Sequence, residues 1–291
     1  MLAHDVLAEA PDGVEVVARP SQVVDVTNRQ AVAETIAATS PDVVINCAAY
    51  TDVDGAEAHR ERAFAVNGDG PGFIAAALAQ RRRGGAPDAL LIHYGSDYVF
   101  DGSASRPYRE EDPCAPIGAY GASKLAGELQ IAERGRRYVI LRTQWLYGAH
   151  GRSFPRTMWE RARAGLPTRV VTDQVGRPTY TMDLARATWR LVSLEGQDPS
   201  ARTSGGERGR ILHVANSGSA TWHQVAQHVF RRAGKPELLT PCVTADFPRP
   251  AKRPAWSVLD TTRFDTMIGR PLPGWEDAMD RFLSSLETPD S

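Results

Sequence analysis

The chain has 291 residues, 42% hydrophobic and 24% charged, with a formal net charge of −1. That length suits one large α/β domain or two lobes, and the charge balance excludes a global field favouring nucleic acid or an anionic membrane. Cys47, Cys114 and Cys242 lack CxxC spacing, which argues against a disulfide framework or zinc site and for a reducing cytoplasm; without a basic-apolar leader or a run of about 18 apolar residues, neither secretion nor a membrane span is expected.

Leu2, Val6 and Leu7, with polar residues between them, predict a short helix, which Pro11-Asp12-Gly13 ends as a turn. Val14 to Ala18 reads as a compact β run, and Thr27 or Asn28 as the cap of a helix through Ala38. Asp42 to Ala49 is apolar throughout and predicts a strand buried on both faces. Arg60 to Gln80 is helical with an interruption around Gly68 to Gly72, and Ala89 to Tyr94 is a further strand. After a loop from Pro107 to Pro116, Tyr120 to Glu133 predicts a helix and Tyr138 to Leu141 a strand. This alternation predicts an α/β fold with a doubly wound, Rossmann-type parallel sheet.

From Ser153 the pattern changes. Helices are expected at Phe154 to Ala164, Met182 to Leu194, His223 to Ala233, Asp260 to Ile268 and Trp275 to Leu286. Strands are expected at Arg169 to Thr172 and Ile211 to Ala215, the latter returning to the main sheet. Gly196 to Gly209 reads as a polar, mobile loop and Pro236 to Pro254 as irregular chain. The expected division is a dinucleotide-binding domain, 1–150 plus about 209–217, and a smaller substrate lobe, 151–208 and 218–291. The ligand site belongs at the carboxyl ends of the strands.

There Ser96 ends an apolar run, and Tyr120 lies four residues before Lys124, one of three lysines. Carbonyl reduction needs a proton donor on the oxygen as charge develops. A helix places residues i and i+4 on one face. A Lys ammonium beside a phenol favours the phenolate and lowers the pKa, and the Ser96 hydroxyl would hold the substrate oxygen. Ala48 and Ala49 would let a flat cofactor lie against the backbone, and Asp25 with Val26 could hold an adenine. Arg19 could meet a 2′-phosphate, favouring NADP. Trp145 could wall a sugar or base, and Arg177 could meet a diphosphate. His93 inside a strand reads as structural. Asp52, Asp54 and Glu57 have no His or Cys spacing, so no metal site is predicted.

Together these segments resemble the extended short-chain dehydrogenase/reductases, and within them the dTDP-4-dehydrorhamnose reductase family. The resemblance runs through Asp42–Thr51, Ala65–Pro71, Ser96–Gly102, Tyr120–Glu128, Arg142–Gly148, Asp173–Thr179 and Arg253–Asp260. It implies reduction of the 4-keto group of a dTDP-4-keto-6-deoxy sugar by NADPH or NADH. By resemblance Tyr120 is the proton donor, Lys124 its partner and a ligand of the nicotinamide ribose, and Ser96 takes the place of the usual Thr. Asp25, Val26, Ala48, Ala49, Tyr50 and Thr51 would line the cofactor. Val53, Asp54, Asp97, Trp145 and Arg177 would border the substrate. A homodimer is compatible with the pattern, and Mg²⁺ participates in some relatives.

The family pattern opens with a strand and a Gly-x-x-Gly-x-x-Gly turn that brings backbone N–H groups to a pyrophosphate. Here the match starts at Met1-Leu2 within that turn, and Ala3 stands where the third glycine would be. The absent strand should leave apolar edges on its neighbours. Two explanations compete: a start upstream of Met1, or a non-catalytic relative that keeps the fold and serves a regulatory role. Another sugar-nucleotide reductase or epimerase of the superfamily is the third reading.

Overall fold

The computed structural model describes residues 1–85, 87–197 and 209–287. Helix α1 (Leu2–Ala8) is followed by a stretch of turns and irregular chain, then α2 (Arg29–Thr39) and strand β1 (Val43–Asn46). Next come α3 (Gly55–Ala58), α4 (Arg60–Phe64), a π-helical segment (Ala65–Asp69) and α5 (Gly70–Arg83). Strand β2 (Leu90–Ser96), a 3₁₀ turn (Asp97–Val99), α6 (Ala119–Arg134) and β3 (Tyr138–Thr143) complete the first half. The second half holds β4 (Leu146–Tyr147), α7 (Phe154–Arg163), β5 (Thr168–Val171), β6 (Val175–Gly176), β7 (Thr179–Tyr180), α8 (Thr181–Gln197) and β8 (Gly209–His213). It closes with β9 (Ala220–Thr221), α9 (Trp222–Arg232), β10 (Leu239–Cys242), α10 (Thr262–Ile268) and α11 (Trp275–Glu287).

The main sheet has the order β1-β2-β3-β8, and every pairing is parallel. Strand side chains alternate between faces, and the sheet uses both. Leu90, Ile92, Val139 and Leu141 pack with Leu2, Val6, Leu184, Leu191, Phe264 and Ile268, so α1, α8 and α10 cover one face. Leu91 and Ile140 pack with Val32, Ile36, Ile74 and Ile131, so α2, α5 and α6 cover the other. Each fully buried Leu or Ile contributes about 1.5–3 kcal/mol. A separate core joins α7, α9 and α11 around Trp159, Val229, Phe230, Met279 and Phe282. Helices α8 and α10 thus close the sheet although they come from the stretch expected in the smaller lobe.

Several expectations are corrected. Val14 to Ala18 forms no strand; it is irregular chain, and Val14, Val16 and Val17 are exposed. β-structure needs a partner for its N–H and C=O groups, and this run has none among the described residues. β1 is shorter than expected, and its Val43, Val44 and Ile45 are only half-buried, because β1 pairs on one side only, with β2. The apolar-edge expectation agrees with this. The Gly68–Gly72 interruption is a π-helical turn, with α5 continuing from Gly70. The Pro-rich region is not wholly irregular, since β10 runs parallel to β5. Gly196 belongs to α8 and Gly209 to β8; the rest of the expected mobile loop, 198–208, lies outside the described residues. Elsewhere the elements fall where the pattern put them, and Asn28 is the cap of α2, its Oδ1 accepting from the Gln30 and Ala31 N–H groups.

Candidate active site

β2 and α6 build the centre. Ser96 ends β2, and its Oγ accepts the Tyr98 N–H at 3.2 Å, capping the 3₁₀ turn. The same hydroxyl donates to Asp97 Oδ1 at 3.1 Å. Helix α6 begins one residue before Tyr120. Its first N–H, on Ala119, has no partner within the helix, and Glu57 Oε1 accepts it at 2.8 Å. Gly121 lies directly under the Tyr98 carbonyl and Gly127 under the Asn67 carbonyl; a Cβ at either would overlap backbone. Gly121 lets α6 approach the turn carrying Asp97 and Tyr98, and Gly127 lets it approach the π-helical segment carrying Asn67. Asn67 accepts the Tyr50 N–H at 2.8 Å and donates to Tyr50 O and Ser123 Oγ, both at 3.0 Å. It fixes the backbone after β1 against α6.

Lys124 is buried, and its Nζ donates to Tyr94 O at 2.6 Å. Burial lowers its pKa to about 8, partly opposed by Glu128. Burial pushes the Tyr120 phenol up to about 12, partly offset by the neighbouring Ser96 hydroxyl. This corrects the expectation of a lowered phenol pKa: Lys124 is turned to a carbonyl, and desolvation outweighs what the neighbours return. Asp97 is buried, and burial raises its pKa to about 7 against the Ser257 and Ser96 hydroxyls; its Oδ2 has no partner. His93 is indeed inside the sheet, with Nδ1 3.1 Å from Asn46 Nδ2. Burial, then Lys124, drives its pKa down, so it stays neutral.

The outer residues divide. Ala48, Ala49 and Tyr50 lie half-buried and Thr51 exposed beyond β1, near Asn67. Asp25 is exposed and holds its own turn, Oδ1 accepting from Thr27 N–H and Oγ1. Val26 packs where Gly70 comes close. Arg19 is exposed and, among the described residues, donates to Ala18 O. Val53 is half-buried beside Asp54, whose carboxylate accepts from Arg253 Nη2 at 2.9 Å. Trp145 sits at φ 49°, a left-handed conformation that costs a bulky residue energy. Its ring stacks on Trp222 with centroids 3.5 Å apart and a 7° interplanar angle. Arg177 donates from its N–H to Gln144 Oε1 and from Nη1 to Thr261 Oγ1, both at 3.0 Å. Small side chains after β1, with a buried ammonium and a half-buried phenol on α6, are a set that would fit the nicotinamide–ribose end of a dinucleotide. A glycine-rich phosphate turn is absent from the described residues.

Sequence reasoning passed over Asn67, Trp222 and Ser257, and weighed Glu57 only as a metal ligand. The capping box Thr221-x-x-Gln224, formed with bonds of 2.7 and 3.0 Å, was the available signal that α9 starts at Trp222. Nothing local announces that Trp222 reaches Trp145.

Residues 1–288 match the family described as RmlD substrate binding domain. A protein of Streptomyces antibioticus named probable dTDP-4,6-dihydroxy-2-methyloxan-3-one 4-ketoreductase is 43% identical over 256 residues, 88% of this chain and 81% of that one. The dTDP-4-dehydrorhamnose reductase of Mycolicibacterium smegmatis is 41% identical over 274 residues, 93% and 78% of the two chains. The crystal structure of dTDP-4-dehydrorhamnose reductase from Bacillus anthracis in complex with NADP superposes with a TM-score of 0.87 at 31% identity, covering 99% of this chain and 95% of that one. With the Ser96, Tyr120 and Lys124 arrangement and the parallel sheet, these matches show that the chain belongs to the dTDP-4-dehydrorhamnose reductase family of the extended short-chain dehydrogenase/reductases.

Proposed function

We propose that the protein reduces the 4-keto group of a dTDP-4-keto-6-deoxy sugar, dTDP-4-dehydro-L-rhamnose, to the 4-hydroxyl of dTDP-L-rhamnose. The observation carrying this is the convergence of Ser96, Tyr120 and buried Lys124 at the end of β2. NADPH, the cofactor form favoured by the NADP complex of the Bacillus anthracis relative, supplies the hydride to C4 when bound. Tyr120 gives its proton to the carbonyl oxygen as the C=O pair moves onto it. A phenol pushed up to about 12 is protonated at neutral pH, the form a reduction needs. Ser96 holds the same oxygen through its hydroxyl. Lys124, four residues on along α6, would leave Tyr94 O to steady the phenolate and to meet the nicotinamide ribose.

Ala48, Ala49, Tyr50 and Thr51, with Asp25 and Val26 farther out, form the cofactor side; Val53, Asp54, Asp97, Trp145 and Arg177 form the sugar-nucleotide side. Residues 1–150 with about 209–217 make the dinucleotide unit, one face of whose sheet is closed by α8 and α10, and the rest of 151–291 supplies the substrate lobe. The three free cysteines accord with a reducing cytoplasm. The Streptomyces relative's name favours a second reading, a 4-ketoreductase acting on a different dTDP-sugar. Incubation with NADPH and each 4-keto sugar, followed by NMR of the product, separates the two. Absence of NADPH consumption with either, alongside measured NADPH binding, would point instead to a regulatory relative.

A further inference from the structure

We propose that Glu57 is the positioning residue of the proton donor: from α3 it holds the first turn of α6, and with it the Tyr120 ring. The proposal rests on the reductase reading above and names a residue which that reading leaves out. Tyr120 lies in the first turn of α6, and the helix's own sequence does not secure that end. Gly118 stands at the cap position with no side chain to accept a hydrogen bond, and no acidic residue lies in the first turn. A helix start is stabilised by a Ser, Thr, Asp or Asn cap and by negative charge near its unpaired N–H groups. α2 and α9 have such caps in Asn28 and Thr221. α6 instead takes its acceptor from Glu57, 62 positions upstream, through the 2.8 Å bond from the Ala119 N–H. Gly118 also admits the carboxylate, since a Cβ there would stand 2.8 Å from Glu57 Oε1.

α3 has only four residues, and neighbouring side chains fix it. Asp52 Oδ1 accepts the Gly55 N–H at 2.8 Å. The Asp54 carboxylate accepts the Ala251 N–H at 3.2 Å and Arg253 Nη2 at 2.9 Å. Ala56 is buried in a cluster with Ala63 and Ala119, and Tyr50 and Tyr120 pack against these small side chains. Glu57 is thus presented from a secured turn that shares its packing with the proton donor. Farther along the helix, Gly121 lies directly under the Tyr98 carbonyl. That contact limits how closely α6 approaches and does not attract it; the Glu57 bond supplies an attraction.

Position along the helix separates this role from that of an ordinary stabilising cap. Without its acceptor the first turn frays, and Tyr120 moves with it. Lys124 lies a turn farther on, where its Nζ is held by Tyr94 O at 2.6 Å. Loss of Glu57 therefore misplaces the proton donor and spares the ammonium assigned to the nicotinamide ribose. Glu57 itself is exposed, so its share of global stability is that of a surface cap.

The test compares the wild type, Glu57→Ala, Glu57→Gln and Glu57→Asp with dTDP-4-dehydro-L-rhamnose and NADPH. Glu57→Ala should lower kcat about 10- to 100-fold, leave NADPH affinity unchanged and lower the unfolding midpoint by only about 2–4 °C. Its solvent deuterium isotope effect on kcat should grow, because proton transfer is the step disturbed. Amide hydrogen exchange should quicken at Ala119 and Ala122 and stay as in the wild type beyond Lys124. Glu57→Gln keeps an Oε1 acceptor and should restore most of kcat. Glu57→Asp, one methylene shorter, should show an intermediate loss and carries the comparison if Glu57→Ala does not fold. Unchanged kcat and exchange in the folded variants, a Gln variant as impaired as the Ala variant, or a parallel loss of NADPH affinity would overturn the positioning role. Wild-type protein that binds NADPH and reduces no 4-keto sugar would overturn the reductase reading alone; the exchange at Ala119 and Ala122 then decides whether Glu57 holds the helix end.

Discussion

Replacing Glu128 by Ala should destabilise the protein more than any other single surface-neutral change on α6. The Glu128 and Arg142 side chains are 2% and 3% exposed, and three contacts join them: Nε to Oε1 at 3.2 Å, Nε to Oε2 at 3.0 Å and Nη2 to Oε2 at 2.7 Å. Without Glu128, Arg142 keeps only the Cys114 thiol at 3.2 Å and the Phe100 ring at 5.2 Å. A buried cation left unpaired costs about 3–5 kcal/mol. For a chain of this size that lowers the melting temperature by roughly 6–15 °C. The pair also seats the proposed catalytic helix, since Glu128 Oε1 fills the space beside Gly95, which is opposite Arg142 in the sheet. Turnover should therefore fall along with stability. Urea unfolding of Glu128→Leu, Arg142→Met and Glu128→Leu/Arg142→Met completes a double-mutant cycle, with Glu128→Ala measured beside it. The double variant should recover most of the loss, because an apolar pair leaves no buried charge. A Glu128→Ala cost below about 1 kcal/mol, or a double variant no better than the single, would refute the reasoning.

Three further outcomes follow from the same geometry. Lys124 has a pKa lowered to about 8 from 10.5, so the fold penalises its charged form: below about pH 8 the whole penalty is present, and it is relieved as pH rises towards 10.5 because the unfolded chain then binds more protons. Relative to Lys124→Met, wild-type stability should rise across that window while kcat/KM falls; a stability difference independent of pH would exclude the shift. Trp222→Ala removes the ring under Trp145 and should cost about 3–5 kcal/mol, with a higher KM for the sugar nucleotide; Trp222→Phe should restore most of both, and equal loss in the two variants would argue against the stack as the positioning contact. Gly121→Ala places a Cβ into the Tyr98 carbonyl, and steady-state assay should find it nearly inactive although Ala is the better helix former; full activity would mean that α6 can shift without consequence.

Much of this protein is legible in the chain alone. Short-range pattern determined α2, β2, α6, β3 and α8, because amphipathic period, a capping Asn28 and Gly or Pro breaks act within a few residues. The Tyr120 and Lys124 spacing on α6 and the hydroxyl of Ser96 at the end of β2 were readable for the same reason. The tertiary structure decided what depends on partners distant in sequence. Val14 to Ala18 has strand composition and forms no strand, since a ladder needs a neighbour that this segment does not meet. β1 reads as fully buried and is half-exposed, since its burial depends on what lies beside it in the sheet. Glu57 at the start of α6, Asn67 under Tyr50, Trp222 against Trp145 and Arg253 on Asp54 are each joined across 17 to 199 positions. The Tyr120 pKa moved opposite to expectation, because sequence reveals which charges are near in the chain but not how much water the fold removes around them.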